Sequence, residues 1–356
     1  MNRRAILTAL LAAILFGIST PIAKGLLGVT SPQVLAGLLY LGSGLGLGLW
    51  FLVRRAGAGV STANDEAPKS PRDWPWLAGA IFFGGIVGPF LLMFGLERST
   101  SSSASLLLNL EGVFTALIAW VVFRENADRR IVVGMLAIVA GGALLSWEGR
   151  LTVGSLTGPL AVAAACLAWG IDNNLTQKVS ASDPVRIAAL KGLVAGSVNL
   201  TIGLARGGAL PSGLLVTGAL LLGLLSYGIS LVLFITALRD LGTARTGAYF
   251  SLAPFVGAAT GLLLWHEPFT PMIVGAAALM AIGLWIHLTE AHEHLHVHEA
   301  MEHRHRHRHD VHHQHEHGPN DPPGEPHTHG HRHEPLEHSH PHYPDIHHRH
   351  RHGRQR

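Results

Sequence analysis

The first 289 residues of the chain are too apolar for a soluble domain, and they repeat. Residues 105–125 (SLLLNLEGVFTALIAWVVFRE) are matched without a gap by residues 247–267 (GAYFSLAPFVGAATGLLLWHE), at an offset of 142 residues, and both copies end in Glu. Upstream, Phe16-Gly17 is matched by Trp169-Gly170. Internal duplication of an apolar bundle is typical of membrane proteins that place a binding site between two halves. The chain is therefore constrained to a duplicated helical membrane fold.

Apolar segments long enough to cross a bilayer follow one another along the two halves. A membrane helix needs about 20 mostly apolar residues. Ten segments meet this requirement: 5–27, 32–53, 74–96, 101–123, 130–147, 156–178, 184–205, 212–238, 243–264 and 270–288. The sequence predicts an all-α, polytopic membrane protein with ten transmembrane helices, surrounded by the lipid bilayer.

The basic residues of the loops predict the orientation. With a cytoplasmic N-terminus, thirteen Lys and Arg residues fall on the cytoplasmic side and four on the other, as the positive-inside rule requires. Ten helices then return the C-terminus to the cytoplasm. Five helices per half make the second half inverted relative to the first. We expect residues 1–150 to form the first repeat, 151–289 the second, and 290–356 a cytoplasmic tail.

Several classes of function are disfavoured. The basic excess lies in loops that orient a membrane protein, so nucleic acid is not expected as a partner. The single cysteine, Cys166, cannot form a disulfide within one chain. The sequence has no GxxxxGK[ST] phosphate loop, and we find no nucleophile–base pair or cofactor motif. We expect a protein that is not an enzyme and that requires no cofactor.

The repeated element also carries a family resemblance. In each half a helix rich in small and apolar residues ends in Glu and is followed by a helix bearing Gly, at 106–125 with 131–134 and at 248–267 with 272–275. Together with Pro254, this pattern resembles the EamA-type family of the drug/metabolite transporter superfamily. The first copy departs from the pattern, because Glu111-Gly112 stands at the place of the proline.

The resemblance covers nearly all of residues 5–288. It implies a secondary transporter that exports small metabolites or amino acids by alternating access, located in a bacterial inner membrane. Members of the family are associated with amino acids, other metabolites, drugs and nucleotide sugars, so the resemblance does not select one substrate. It is compatible with a monomer or a homodimer.

Polar residues at membrane depth are candidates for a substrate site, because an ionisable group there costs at least ~2.5 kcal/mol. Asp172, Asn173 and Asn174 lie near the cytoplasmic end of the sixth segment, and Lys191 lies at a similar depth in the seventh. We expect Asp172 and Lys191 to face one cavity; the alternative is a structural ion pair or a side chain that snorkels to the interface. Three consecutive polar residues cannot all face one way on a helix.

The fourth segment supplies two more candidates, Asn109 and Glu111. Glu111 is expected to bind a substrate amine, a cation or a proton; the alternative is a hydrogen-bonded packing residue. Tyr227, Tyr249 and Ser251 are further candidates for lining the substrate cavity.

The tail holds 23 of the 25 histidines and lacks the apolar residues that a core needs, so we expect it to be disordered. Imidazole is a good ligand for nickel, cobalt, zinc and copper. Candidate metal ligands alternate along its first part: His292, His294, His296, His298, His303, His305, His307 and His309. A divalent-metal efflux carrier, or a membrane metal sensor, is therefore an alternative to the metabolite transporter.

Overall fold

The computed structural model describes residues 3–57, 74–122, 129–146, 153–177, 184–241, 246, 249–288, 292–298, 301–307, 327–333 and 336–342. The chain divides into a helical unit, Met1–Glu290, and a tail unit, Ala291–Arg356. Helices of the first half are α1 (Arg3–Gly17), α2 (Ser19–Leu26), α3 (Pro32–Gly57), α4 (Trp74–Ala80), α5 (Gly88–Glu97), α6 (Ser101–Leu107), α7 (Leu110–Val121) and α8 (Arg129–Leu145). Helices of the second half are α9 (Val153–Gln177), α10 (Pro184–Ala205), α11 (Gly213–Gly223), α12 (Ser230–Leu241), α13 (Ala253–Leu264) and α14 (Pro271–Leu288).

The helical unit has the character of a polytopic membrane protein. Within the part of the chain that the structure describes, six helical stretches are long and apolar enough to cross a membrane: Arg3–Leu26, Pro32–Val53, Trp74–Glu97, Ser101–Val121, Val185–Ala205 and Gly213–Ala237. The same part contains three shorter apolar helices, Val132–Leu145, Ala253–Leu264 and Pro271–Ile286. Large apolar side chains such as Leu49, Leu214 and Leu263 are exposed on the surface of the unit, as a surface in contact with lipid requires.

The predicted count of ten spans is not confirmed. Each predicted segment contains helix in its described part, but three of these helices are shorter than a full span. The sixth predicted segment corresponds to α9, whose apolar run is interrupted by Asp172, Asn173 and Asn174. The polar residues that make α9 a functional candidate also reduce its apolar length.

Several long helices are interrupted. Pro21 has no backbone N–H to donate to the carbonyl of Gly17, four residues earlier. The helix is interrupted there, at Ile18 between α1 and α2. The third and eighth predicted segments each contain a π-helical segment, Ile81–Val87 between α4 and α5 and Leu224–Ile229 between α11 and α12. A π turn changes the hydrogen-bond register and is frequent at functional sites. The two segments stand at corresponding places in the two halves.

Small residues bring helices from opposite halves close together. On α3 and α10, Gly37 lies against Leu200, and a Cβ on Gly37 would be 2.5 Å from the Leu200 backbone nitrogen. Toward the other end of the pair, a Cβ on Gly196 would be 2.5 Å from the Leu41 backbone nitrogen. Residue numbers rise along α3 as those of their contact partners fall along α10, so the two helices are antiparallel. Small residues allow this close approach where lipid supplies no hydrophobic driving force.

The tail unit differs from the expectation of a disordered segment. Its described residues form four strands, β1 (His292–His298), β2 (Met301–His307), β3 (His327–His333) and β4 (Leu336–His342). Strand β1 pairs antiparallel with β4, and β2 pairs antiparallel with β3. Residues of the His-x-His pattern repeat every second position, which matches the period of a strand. The all-α and disordered descriptions are therefore corrected for these four segments.

Candidate functional site

An ion pair links α9 to α10 inside the helical unit. The Lys191 Nζ atom donates to Asp172 Oδ2, and Thr176 Oγ1 donates to Asp172 Oδ1 at 2.9 Å. Asp172 is only 6% exposed. A buried charge is tolerated when it is paired and hydrogen-bonded. Asp172 and Lys191, which were expected to face one cavity, form the ion pair that was the alternative interpretation. Whether they also line a substrate cavity stays a prediction.

The next two polar residues of α9 bond to α7 instead. Asn173 Nδ2 donates to Glu111 Oε1 at 2.9 Å and to Thr115 Oγ1 at 3.2 Å. Asn174 Nδ2 donates to the Thr115 carbonyl at 3.1 Å and to its own helix at the Gly170 carbonyl at 2.8 Å. The prediction that three consecutive polar residues cannot share one direction is confirmed. The α9 polar residues therefore connect α7 with α10.

The charges of this cluster do not balance. Glu111 and Asp172 supply two carboxyl groups, and Lys191 supplies one ammonium. We call Glu111, Thr115, Asp172, Asn173 and Lys191 the α7–α9–α10 cluster. With Asp172 and Lys191 paired, Glu111 has amide and hydroxyl neighbours but no cation bonded to it in the described part of the chain. A carboxylate in that position is suited to a proton, a cation or a substrate amine.

The first π-helical segment lies directly beside the cluster, and its carbonyls are bonded by side chains from three other helices. Tyr40 Oη donates to the Gly84 carbonyl at 2.8 Å, and Trp169 Nε1 donates to the same carbonyl at 3.0 Å. Asn199 Nδ2 donates to the carbonyls of Gly85 and Ile86, at 3.2 Å each. Buried backbone carbonyls need such partners. The side chains of α3, α9 and α10 therefore hold the segment in its π conformation.

Contact between Gly84 and Asp172 leaves no room for a side chain. A Cβ built on Gly84 would overlap the Asp172 carboxylate, and a Cβ on Gly85 would lie 2.6 Å from the Ala195 Cβ. The two glycines let the π-helical backbone approach the ion pair.

Sequence reasoning missed Tyr40 and Asn199. Neither carries a charge, and their partners are backbone carbonyls of the π-helical segment. An amide in the middle of an apolar helix is a signal that could have identified Asn199, which is fully buried.

We expect Asn199→Leu to lower the free energy of unfolding by about 2 kcal/mol, because two buried carbonyls lose a donor. Chemical unfolding in detergent measures this change. Thr217→Val is the control: the Thr217 hydroxyl is exposed and bonds only to its own helix, at Gly213. Equal stability of the two variants would contradict the role of Asn199.

The other predicted site residues lie apart from the cluster. Asn109 stands at the break between α6 and α7, and its amide donates to the Leu106 carbonyl at 2.9 Å and contacts Met280 Sδ at 3.8 Å. Tyr227 lies on the second π-helical segment, with its ring centroid 5.5 Å from that of Tyr40. Tyr249 and Ser251 precede α13 and are half-buried.

The predicted metal ligands lie in the tail unit. His292, His294, His296 and His298 are on β1, His303, His305 and His307 are on β2, and His309 lies outside the described residues. Among the residues that the structure describes, no group of three or more His, Cys, Asp or Glu side chains is arranged to hold a metal ion.

One end of the helical unit is held together by Lys24. Its Nζ atom donates to three backbone carbonyls just after α5 or in its last turn, at 2.5 Å (Leu96), 3.2 Å (Glu97) and 2.7 Å (Ser99). Carbonyls at the C-terminus of a helix carry partial negative charge, which favours a cation there. Lys24 thus ties α2 to α5.

Glu267 makes a second connection at the same end, which we call the Glu267 end. Its carboxylate accepts from Ser101 N at 2.6 Å, from Ser101 Oγ at 2.7 Å and from Ser102 N at 2.9 Å. Trp265 Nε1 donates to the Pro21 carbonyl at 2.8 Å. These bonds join the segment between α13 and α14 to helices α2 and α6 of the first half.

Hydrogen bonding changes the acidity of Glu267. Burial alone would raise the pKa of this carboxyl, but the bonds from Ser102 and Ser101 outweigh burial and hold the pKa below its ordinary value. A carboxyl with a lowered pKa stabilises the folded state above its unfolded-state pKa and loses this effect as pH falls through the folded-state pKa.

Glu267→Gln is therefore expected to lower the melting temperature at pH 7. The difference in melting temperature between the variant and the wild type should become smaller as pH falls below the ordinary carboxyl pKa of 4.5. Thermal unfolding across pH measures it, with Glu97→Gln as an exposed control. A constant difference at all pH values would contradict this role of the carboxylate.

The two halves of the chain are similar to known membrane transporters. The model of the EamA-like transporter family matches the chain twice, over residues 3–147 and 156–289. An uncharacterized transporter of Methanothermobacter thermautotrophicus is 29% identical over 289 residues, which cover 77% of this chain and 83% of that protein. The two matched segments correspond to the two halves in which the α7–α9–α10 cluster has its helices.

A second relative matches a shorter stretch. The probable 4-amino-4-deoxy-L-arabinose-phosphoundecaprenol flippase subunit ArnE of Pseudomonas paraeruginosa is 41% identical over 83 residues, 23% of this chain and 70% of that protein. A solved crystal structure of a protein with no stated function covers 80% of this chain and 96% of its own, with a TM-score of 0.59 and 19% identity. At this identity the likeness concerns the fold alone.

Proposed function

The chain belongs to the EamA-like transporter family, and from that premise we propose that it exports small metabolites or amino acids by alternating access. The proposed setting is a bacterial inner membrane, with both termini in the cytoplasm and ten helices in two inverted repeats of five. Thirteen cytoplasmic Lys and Arg residues against four on the other side support this orientation.

The α7–α9–α10 cluster is the observation that carries the proposal. Helix α7 belongs to the first half of the chain, and α9 and α10 belong to the second. The bond from Asn173 to Glu111 therefore joins the two halves, and the pair of Lys191 and Asp172 lies beside it within the second half. Substrate sites of carriers built from repeats lie at the interface between them, near interrupted helices. The π-helical backbone at Gly84 is such an interruption.

Pairing of the helices supports the inverted repeat. Helix α1 packs against α12 and α13, and in the corresponding arrangement α9 packs against α5 and α7. The π-helical segments begin at Ile81 and Leu224, a separation of 143 residues, within one residue of the sequence repeat. Two related halves can exchange packings, which is the basis of alternating access.

In the proposed orientation, the Glu267 end serves as the gate on the outer side of the membrane. With the N-terminus inside, Lys24 and Glu267 lie at the outer surface, and their bonds hold α2, α5 and α6 against the α13–α14 segment. The cluster lies toward the other end, since Asp172 is near the C-terminal end of α9 and Lys191 is in the first half of α10. Solute would enter from the cytoplasm and leave when the bonds at the Glu267 end open.

The charges of the cluster suggest the substrate class. A solute with an amine and a carboxylate could bind its amine to Glu111 and its carboxylate to Lys191, which Asp172 would then release. Amino acids carry both groups. The relatives give no support to the metal-efflux alternative, since their names describe a transporter without stated substrate and a flippase subunit. Metal binding by the tail stays a separate prediction.

Flux measurements in proteoliposomes test the proposal. The full-length protein and a 1–289 truncation are reconstituted, and efflux is measured for amino acids and for Ni²⁺, Co²⁺ and Zn²⁺. We expect amino-acid flux in both proteins and no metal flux. Metal flux that requires the tail, or the absence of any solute flux, would contradict the proposal.

A further inference from the structure

A cavity of about 320 Å³ opens at the Glu267 end, separate from the α7–α9–α10 cluster. Its lining includes Gln33 at the start of α3, Phe90 and Phe94 on α5, Arg98 after α5, and Gly203 and Arg206 at the end of α10. We propose that this cavity binds a small organic anion, a carboxylate or phosphate monoester that carries an apolar group. This inference goes beyond the transport function.

The backbone at the end of α10 fixes the position of Arg206. Gly208 N donates to the Gly203 carbonyl at 2.9 Å, and Gly207 N donates to the Leu204 carbonyl at 3.0 Å. This is the Schellman pattern, and Gly207 supplies its left-handed residue with a φ of 85°. A side chain on Gly208 would meet the Ser31 hydroxyl at 2.8 Å, so the turn also packs against the start of α3. The wall that carries Arg206 is thus a built feature and not a loose loop.

The cavity has one uncompensated positive charge. Arg98 bonds to the Glu97 carboxylate and to the Phe94 carbonyl at 3.0 Å, and its guanidinium lies 3.6 Å from the Phe94 ring centroid. Arg206 has no carboxylate partner within the described residues. The lining charges are therefore Arg98 and Glu97, which cancel, and Arg206, which does not. A free guanidinium favours a carboxylate or phosphate, to which it can donate two parallel hydrogen bonds.

The apolar walls of the cavity indicate that the ligand also carries an apolar group. Phe90 and Phe94 are half-buried, with ring centroids 6.1 Å apart, and both face the cavity. A volume near 320 Å³ is at the lower end for small-molecule sites. The site thus fits an anion with a compact apolar group and disfavours a bare inorganic ion.

A hydrogen-bond chain leads from the cavity toward the first π-helical segment. Gln33 Nε2 donates to Asn199 Oδ1 at 3.4 Å, and Asn199 in turn donates to the carbonyls of Gly85 and Ile86. An occupant that touches Gln33 would therefore contact the same amide network that holds the π turn.

Ligand-induced thermal shifts of the full-length protein in detergent test the proposal. The probes are benzoate, inorganic phosphate and neutral benzyl alcohol. We expect benzoate to raise the melting temperature at lower concentrations than phosphate, and benzyl alcohol to have no saturable effect. Arg206→Gln should raise the half-saturating benzoate concentration at least tenfold, because a charge-assisted hydrogen bond is lost. Phe90→Ala should weaken the binding of benzoate and leave the binding of phosphate unchanged.

Arg130→Gln is the matched control, since Arg130 is an exposed arginine on α8, outside the cavity. Equal benzoate binding by the wild type, Arg206→Gln and Arg130→Gln would overturn the proposal, as would equal effects of benzoate and benzyl alcohol.

Two further arms distinguish a dissolved anion from a lipid headgroup. The benzoate measurement is repeated in nanodiscs of phosphatidylcholine and in nanodiscs that also contain phosphatidylglycerol. If the benzoate-induced rise in melting temperature is lost only in nanodiscs with phosphatidylglycerol, the natural anion is a lipid headgroup. If the rise is retained in both kinds of nanodisc, the natural anion is a dissolved solute. Binding is measured without flux, so its failure would leave the transport proposal untouched.

Discussion

Replacing Asp172 with Asn is expected to abolish solute flux and to lower the free energy of unfolding by about 3 kcal/mol. The amide cannot neutralise Lys191, whose side chain is only 17% exposed, so the variant leaves an ammonium buried without a counter-charge. Flux in proteoliposomes and chemical unfolding in detergent measure the two effects.

A double variant separates the structural role of the pair from its transport role. Lys191→Met alone leaves Asp172 without its cation and should also destabilise the protein. Asp172→Asn combined with Lys191→Met removes both charges, and we expect it to recover most of the lost stability. Flux should stay absent, because the substrate has lost its charged partners. Recovery of flux together with stability would show that the pair is only structural.

Gly84→Ala is expected to have the second largest effect, because its Cβ would overlap the Asp172 carboxylate. Either the π-helical segment moves away or the ion pair is distorted. Overpacking of this kind costs about 1–3 kcal/mol. We expect flux to fall at least tenfold, even at temperatures at which the variant remains folded. The same flux assay and thermal unfolding measure both changes.

Gly48→Ala is the matched control, since nothing lies within 4 Å of a Cβ at Gly48. It should be neutral in flux and no less stable than the wild type, because Ala favours a helix interior over Gly by about 0.5–1 kcal/mol. If Gly84→Ala and Gly48→Ala transport equally, the close contact between the π-helical backbone and the ion pair has no role in transport.

The partners of the cluster could be predicted from sequence to a useful extent. Ionisable residues in apolar segments are few, and Asp172 and Lys191 stand at similar depths on consecutive helices. Pairing follows from the cost of burying either charge alone. Because consecutive helix residues point in different directions, Asn173 and Asn174 had to bond to other partners than Asp172 does. The sequence did not identify Thr115 as the partner of both.

Features that depend on backbone register could not be predicted. Pro89 lacks the N–H that would bond the Gly84 or Gly85 carbonyl, so the sequence indicates an interruption near Ile81–Val87, but it does not identify Tyr40 and Asn199 as the side chains that bond those carbonyls. Lys24 has three backbone carbonyls as partners, and these are set by where α5 ends. The strands of the tail were missed because its composition suggested disorder, although alternation along the chain also fits a strand.

Reversible locking of the Glu267 end tests alternating access most directly. Helices α6 and α13 come from opposite halves, and a Cβ at Gly261 would contact the Ser101 hydroxyl and lie 3.0 Å from Ser102 N. Ser101→Cys and Gly261→Cys are introduced together in a Cys166→Ala background, and amino-acid flux is measured in proteoliposomes after oxidation and again after reduction. Under alternating access, oxidation stops flux, reduction restores it, and neither single-cysteine variant responds. Full flux through the cross-linked protein would contradict it.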